Sequence, residues 1–169
     1  MIKGIQEKNV IASAKHFPGH GDTEVDSHKG LPVLPFSRER LDSMELYPFR
    51  DQIKEGVKMV MMGHLHIPAL DSAVSSISYP IVTGLLREEM GFDGIIVTDA
   101  LTMKGVSENM ESAEIALAAY KAGVDILPVV MTGTTDAFKK GWLVNWRHRV
   151  AIRVLEPVSA EAVAATGTK

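Results

Sequence analysis

Cysteine is absent from all 169 residues, which removes disulfides, thiolate metal sites and thiol nucleophiles together. Long apolar runs are missing too. None approaches the roughly 18 residues that a membrane span needs, so no membrane partner is expected. Basic charge is not in excess. Lys plus Arg is 18 against 21 Asp plus Glu, a net charge of −3, which argues against a protein that holds nucleic acid by neutralising phosphates. Met1 to Val10 lack the basic, apolar and small-residue order of a secretory signal, and a cytoplasmic location is expected. No internal repeat of fixed period and no low-complexity linker interrupts the chain. What is present is ordinary for a globular protein: 46% of the residues are apolar, enough to offset the entropy of folding. The length suits one domain or part of a larger one. A soluble enzyme or binding domain remains.

Three segments predict buried strands, Val10–Phe17, Val57–His64 and Gly94–Ala100, and a weaker fourth runs over Asp125–Val130. Each is a short run rich in Val, Ile or Met without clean alternation, the pattern of strands covered on both faces. Helical patterns fall between them. Ser37–Glu55 carries Leu41, Met44, Leu46, Phe49 and Ile53 on one side, with a kink or split expected at Pro48. Tyr79–Met90 starts near Pro80 and stops at Gly91, and Ala-rich Glu111–Ala122 is closed by Gly123. Asp136–Glu156 fits one long helix with Leu143, Trp146, Val150 and Val154 on one side, and Pro157–Lys169 is small and polar enough to fray. Lys139-Lys140 and Arg147-His148-Arg149 read as a solvated helix face, and Met59, Met61 and Met62 as core filling. Strands alternating with helices imply an α/β fold of parallel (β/α) units, about four of them.

The chemistry sits at the strand ends, where parallel α/β folds bind their ligands. Lys15-His16 ends the first strand, His64 the second and Asp99 the third. The loop after the first strand holds His16, His20, Asp22, Glu24, Asp26 and His28, with Gly19 and Gly21 flanking His20. Asp26 and His28 are two apart, so the carboxylate can bond the imidazole, favour imidazolium and fix its tautomer for acid/base work. The plain alternative is a solvated or capping surface loop. Asp99 closes an apolar strand, and its plain alternative is a helix N-cap. A carboxylate with a second acid/base group about 5 to 6 Å away is the layout of retaining glycoside hydrolysis. A rival is a metal-dependent hydrolase, with His64 and His66 joined by His16, His20 and Asp99 as ligands.

The run Lys15-His16-Phe17-Pro18-Gly19-His20-Gly21-Asp22-Thr23, followed by Asp26-Ser27-His28 and Leu31-Pro32, resembles the signature loop of glycoside hydrolase family 3. Within the family it is most similar to the β-N-acetylhexosaminidase (β-N-acetylglucosaminidase) branch. Val60-Met61-Met62-Gly63-His64, Pro68-Ala69-Leu70-Asp71, Leu86-Arg87, Gly91-Phe92-Asp93-Gly94 and Val97-Thr98-Asp99-Ala100-Leu101-Thr102-Met103 follow in family order. The resemblance runs from about Asn9 to Val130 and implies a TIM-barrel-like fold. It implies Asp99 as the nucleophile that forms a covalent glycosyl-enzyme, His28 as general acid/base and Asp26 as its orienting partner. It also implies Lys15 and His16 as contacts to sugar hydroxyls and His64 as a pocket-lining, substrate-binding residue. The implied substrate is a β-linked N-acetylglucosaminide, with no cofactor and no metal.

A (β/α)8 barrel takes about 250 residues, and this chain carries the pattern of the last four strands. Residues 1–130 are therefore expected to form a partial family 3 catalytic domain, and 131–169 a C-terminal helix and tail. The family's other half supplies an Asp and Arg residues that grip the sugar. An open half barrel leaves two strand edges and an apolar inner face uncovered, so a homo-oligomer is expected, a second copy closing the barrel. The alternatives are a rearranged compact sheet, or a sugar-binding or inactive fragment. Phosphate in place of water as glycosyl acceptor also suits a histidine acid/base, because an imidazole does not repel the anion.

Overall fold

A computed structural model describes residues 1–23, 30–107, 110–124, 129–132 and 151–155. The apolar runs become short strands: β1 (Ser13–Phe17), β2 (Met59–Met62) and β3 (Ile95–Thr98). They form one parallel sheet in the order β1-β2-β3. Two consecutive parallel pairings require a crossover after each strand, and the helical segments supply them. After β1 come α2 (Arg38–Ser43) and α3 (Tyr47–Lys54), preceded in the chain by the short α1 (Ile2–Gln6). The expected split of Ser37–Glu55 is found. Ser37 Oγ accepts from the Arg40 N–H at 3.3 Å as the cap of α2, and Pro48 sits in the first turn of α3, where a missing N–H costs nothing.

After β2 the chain forms a 3₁₀ turn at Ser75–Ile77 and a helix over Pro80–Glu89 that buries Ile81, Val82, Leu85 and Leu86. This helix is wound with π-type bonds: the Met90 N–H reaches back five residues to the Leu85 carbonyl at 2.9 Å. Gly91 then takes φ +68°, the left-handed stop expected of it. A four-residue helix, Lys104–Ser107, precedes Ser112–Lys121, whose start carries a reciprocal capping box between Glu111 and Glu114.

Alternation along the strands decides what each face does. Ala14, Val60 and Ile96 share one row and are all buried, with Phe17 and Met62 beyond them at 0% exposure. Phe17 meets Phe49 of α3 edge to face, ring centroids 5.1 Å apart. The opposite face carries Ser13, Met59 and Ile95 in one row and Lys15, Met61 and Val97 in the next. Ile95 there is 43% exposed. The expectation of strands covered on both faces is thus met on the helix side only, and Met59 and Met61 lie on the open face while Met62 is core. No second layer packs on that face among the described residues.

Two further expectations are corrected. The sheet has three parallel strands among the described residues, not four. The weak fourth strand is β4 (Val129–Thr132), and it pairs antiparallel with β5 (Ala151–Val154) in a separate unit. The expected helix Asp136–Glu156 is overturned at its C-terminal end, because residues 151–154 are that strand. Ile152 and Val154 are β-branched, which disfavours a helix and suits a ladder. The rest of that expected helix, from 136 to 150, and the expected fraying of 157–169 lie outside the described residues. The chain divides into two compact units, Met1–Val124 and Asp125–Lys169.

Candidate active site

β1, β2 and β3 end in register, so their last residues meet at one rim. Lys15 pairs with Met61 and Phe17 with Met62, which makes His16 an extra residue bulged out of the ladder. Bulges re-aim side chains, and this one turns His16 toward the end of β3. His16 Nε2 lies 3.6 Å from Asp99 Oδ2, with both side chains a little over a quarter exposed. Gly63, the first residue past β2, makes the approach possible: a Cβ there would meet the His16 Cβ at 3.1 Å. The Lys15–His16 and Phe17–Pro18 peptides are cis.

Asp99 is held from several sides. Its N–H donates to the Met62 carbonyl at 2.9 Å, continuing the ladder. Its Oδ1 accepts the Ala100 N–H at 2.8 Å, which leaves Oδ2 as the oxygen facing His16. Burial pushes the His16 imidazole below its usual 6.5, more than the Asp99 carboxylate pulls it up, and Lys15, His20 and His64 add to the lowering. The balance favours the neutral imidazole beside the Asp99 carboxylate.

The loop leaving β1 extends this rim. The His20 ring stands edge-on to His16 with centroids 5.9 Å apart, and Thr23 Oγ1 lies 2.8 Å from His20 Nδ1. Arg40 of α2 bridges outward to Asp22 Oδ2 and inward to Glu45 Oε1, both at 3.1 Å. A cavity of about 560 Å³ opens here between loop and helices, lined by Lys15, His16, His20, Asp22, Arg40 and Glu45 among others. Asp26 and His28, the expected acid/base pair, lie outside the described residues.

His64 lies deeper than Lys15 and His16. It is 1% exposed, and both ring nitrogens are engaged inside the protein: Nδ1 lies 2.7 Å from Ser76 Oγ and Nε2 lies 3.1 Å from the Ala100 carbonyl. It is absent from the lining of the cavity that holds Lys15 and His16. Both ring nitrogens thus already have partners within the protein. His66 sits apart on a segment bridged to Val33, and among the described residues no group of three metal-ligating side chains converges on one point. The structure thus unites Lys15, His16 and Asp99 at one rim and places His64 behind them. Sequence reasoning missed Ser76, Arg40 and Glu45. Ser75-Ser76-Ile77-Ser78 was open to notice, since three hydroxyls in an otherwise apolar stretch call for buried partners.

Comparison with known proteins bears out the resemblance. Residues 1–144 match the glycosyl hydrolase family 3 N-terminal domain, a TIM-barrel-like α/β fold. Beta-hexosaminidase A of Pseudoalteromonas piscicida is 37% identical over 150 residues, covering 80% of this chain and 25% of the relative. The beta-hexosaminidase of Methylobacillus flagellatus is 32% identical over 127 residues, covering 75% and 36%. Among solved structures, a family 3 beta-N-acetylglucosaminidase from Paenibacillus sp. str. FPU-7 superposes with TM-score 0.72 at 46% identity, over 74% of this chain and 24% of that one. The beta-N-acetylglucosaminidase from Thermotoga maritima gives TM-score 0.67 at 36% identity, over 74% and 27%. The chain spans between about a quarter and about a third of the length of these relatives. With most of its length matched to the domain, and the motif residues at the strand ends where the fold puts its chemistry, the chain belongs to glycosyl hydrolase family 3.

Proposed function

We propose that this chain carries the catalytic loop and the nucleophile of a retaining glycoside hydrolase that removes terminal β-linked N-acetylglucosamine. The observation that carries this reading is the Asp99 carboxylate, partly exposed at a strand end with Oδ1 held by Ala100 and Oδ2 open beside His16. The names of the relatives, beta-hexosaminidase and beta-N-acetylglucosaminidase, supply the substrate class. In the proposed cycle Asp99 attacks the anomeric carbon while His28, oriented by Asp26, protonates the departing glycosidic oxygen. The C–O bond breaks and a glycosyl ester forms on Asp99. Water then attacks the same carbon, gives its proton to His28, and Asp99 departs as carboxylate. Lys15 and His16 bind sugar hydroxyls at the rim.

The test is hydrolysis of p-nitrophenyl N-acetyl-β-glucosaminide by the wild-type chain beside Asp99→Ala. The expected loss is at least about 10³-fold in turnover, as for removal of a nucleophile. Azide added to Asp99→Ala should restore release of nitrophenol and give the α-glycosyl azide. Wild-type-like activity in the variant would refute the assignment.

The chain's span of only about a quarter to a third of its relatives favours a second reading, sugar binding without turnover; the β1 edge is also uncovered, with Val10 and Ile11 beside it 56% and 48% exposed. N-acetylglucosamine binding with no hydrolysis would identify it. The same edge supports a homo-oligomer in which a second copy pairs along β1. Light scattering should then give more than the 18.4 kDa monomer at micromolar concentration, and a stable monomer would refute it.

A further inference from the structure

We propose that Ser76 and His64 form a positioning pair for Asp99: Ser76 holds His64 with its proton on Nε2, and that proton fixes the Ala100 carbonyl and so the aim of the Asp99 carboxylate. This rests on the assignment of Asp99 as nucleophile. The tautomer follows from the partners. The Ala100 carbonyl can only accept, so Nε2, 3.1 Å away, must donate. Nδ1 of a neutral ring then accepts, and the Ser76 hydroxyl at 2.7 Å donates to it. The ring is neutral because burial drives its pKa below the usual 6.5 despite the pull of Asp99 and the Ala100 carbonyl.

Both residues are held for this task by their neighbours. Ser75, next to Ser76, donates its hydroxyl to the Gly63 carbonyl at 2.7 Å and accepts the Leu65 N–H at 3.0 Å. It therefore ties down the backbone on either side of His64 while Ser76 ties down the ring. Ser75 and Ser76 are each 0% exposed. Nor does the Ala100 carbonyl need His64 merely to be satisfied, since the Met103 N–H already donates to it at 3.0 Å. The bond from His64 is an additional, long-range one. With Met62 holding the Asp99 N–H, the end of β2 grips the nucleophile's backbone at two consecutive residues. The Ala100 N–H that pins Oδ1 belongs to the gripped residue, so the position of Ala100 sets the direction of Oδ2.

The test reads the tautomer, the carboxylate and turnover in the full chain. In wild type, long-range ¹H–¹⁵N correlation at pH 8 should give His64 as neutral, protonated on Nε2. In Ser76→Ala that pattern should be lost, and the ¹³C chemical shift of the Asp99 carboxyl at pH 7 should move. kcat should fall about 10- to 100-fold with KM within about twofold, the loss expected of a misaimed group. His64→Gln, whose amide N–H can replace Nε2–H, should recover most of the kcat that His64→Ala loses. A wild-type His64 protonated on Nδ1, or Ser76→Ala with an unchanged Asp99 carboxyl chemical shift, would overturn the proposal. If the wild type shows no turnover, the nucleophile assignment fails, and the spectra still decide whether the clamp exists.

Discussion

Replacing Gly19 with alanine puts a methyl group where the loop backbone already touches α3's approach. Gly19 has φ +137°, and a Cβ built there would lie 2.7 Å from the Glu45 Cβ and 3.1 Å from its Cγ. Glu45 cannot step aside easily, since its side chain is 6% exposed and bonded to Arg40. The backbone conformation alone costs a non-glycine residue about 1–3 kcal/mol. Forcing the clash into packed surroundings costs about 1–3 kcal/mol more. The reduced freedom of the unfolded chain returns about 0.4–1 kcal/mol. A net loss of about 3 kcal/mol should lower Tm by about 10 °C for a chain of this size. The control lies two residues on: Gly21 has no positive φ and nothing within 4 Å of its would-be Cβ. Gly21→Ala should therefore melt within about 3 °C of wild type. Thermal and urea unfolding followed by circular dichroism reads both. If Gly19→Ala melts together with Gly21→Ala, the packing of this loop on Glu45 is wrong. Because the Gly19 N–H also bonds the His16 carbonyl at 2.9 Å, the same substitution should shift the His16 resonances, whereas Gly21→Ala should not.

Two further outcomes test the fold and its titration. Phe17→Ala removes a ring at 0% exposure packed edge to face on Phe49 and should cost about 3–5 kcal/mol by urea unfolding; a loss under about 1 kcal/mol would mean β1 is not packed as described. His16 and His64 both have folded pKa values lowered by burial, so the unfolded chain binds more protons just below 6.5, and stability is full above that value and lost as pH falls through it. Urea midpoints should drop between pH 7 and pH 5, and His64→Gln should flatten that slope; equal slopes in the two proteins would refute a neutral buried His64.

Much of this protein follows from the sequence by itself. Short apolar runs of Val, Ile and Met become the three parallel strands because nothing else buries them. Pro48 splits a helix, Gly91 and Gly123 stop two others through positive φ, and the motif residues Lys15, His16 and Asp99 land at strand ends. These are local effects, fixed by backbone sterics and by the period of apolar residues. What the tertiary structure decided is whatever depends on a partner distant in sequence. Whether a histidine at a strand end faces the rim or the interior is one such matter. His64 carries the same local signals as His16, yet a one-residue bulge turns His16 to the rim, while Ser76 and Ala100, 12 and 36 residues away, draw His64 inward. The end of the expected C-terminal helix is another, because Ala151–Val154 is a strand only through its ladder to Val129–Thr132. Hydrogen-bond partners and ladder neighbours are chosen in three dimensions, and no periodicity along the chain records them.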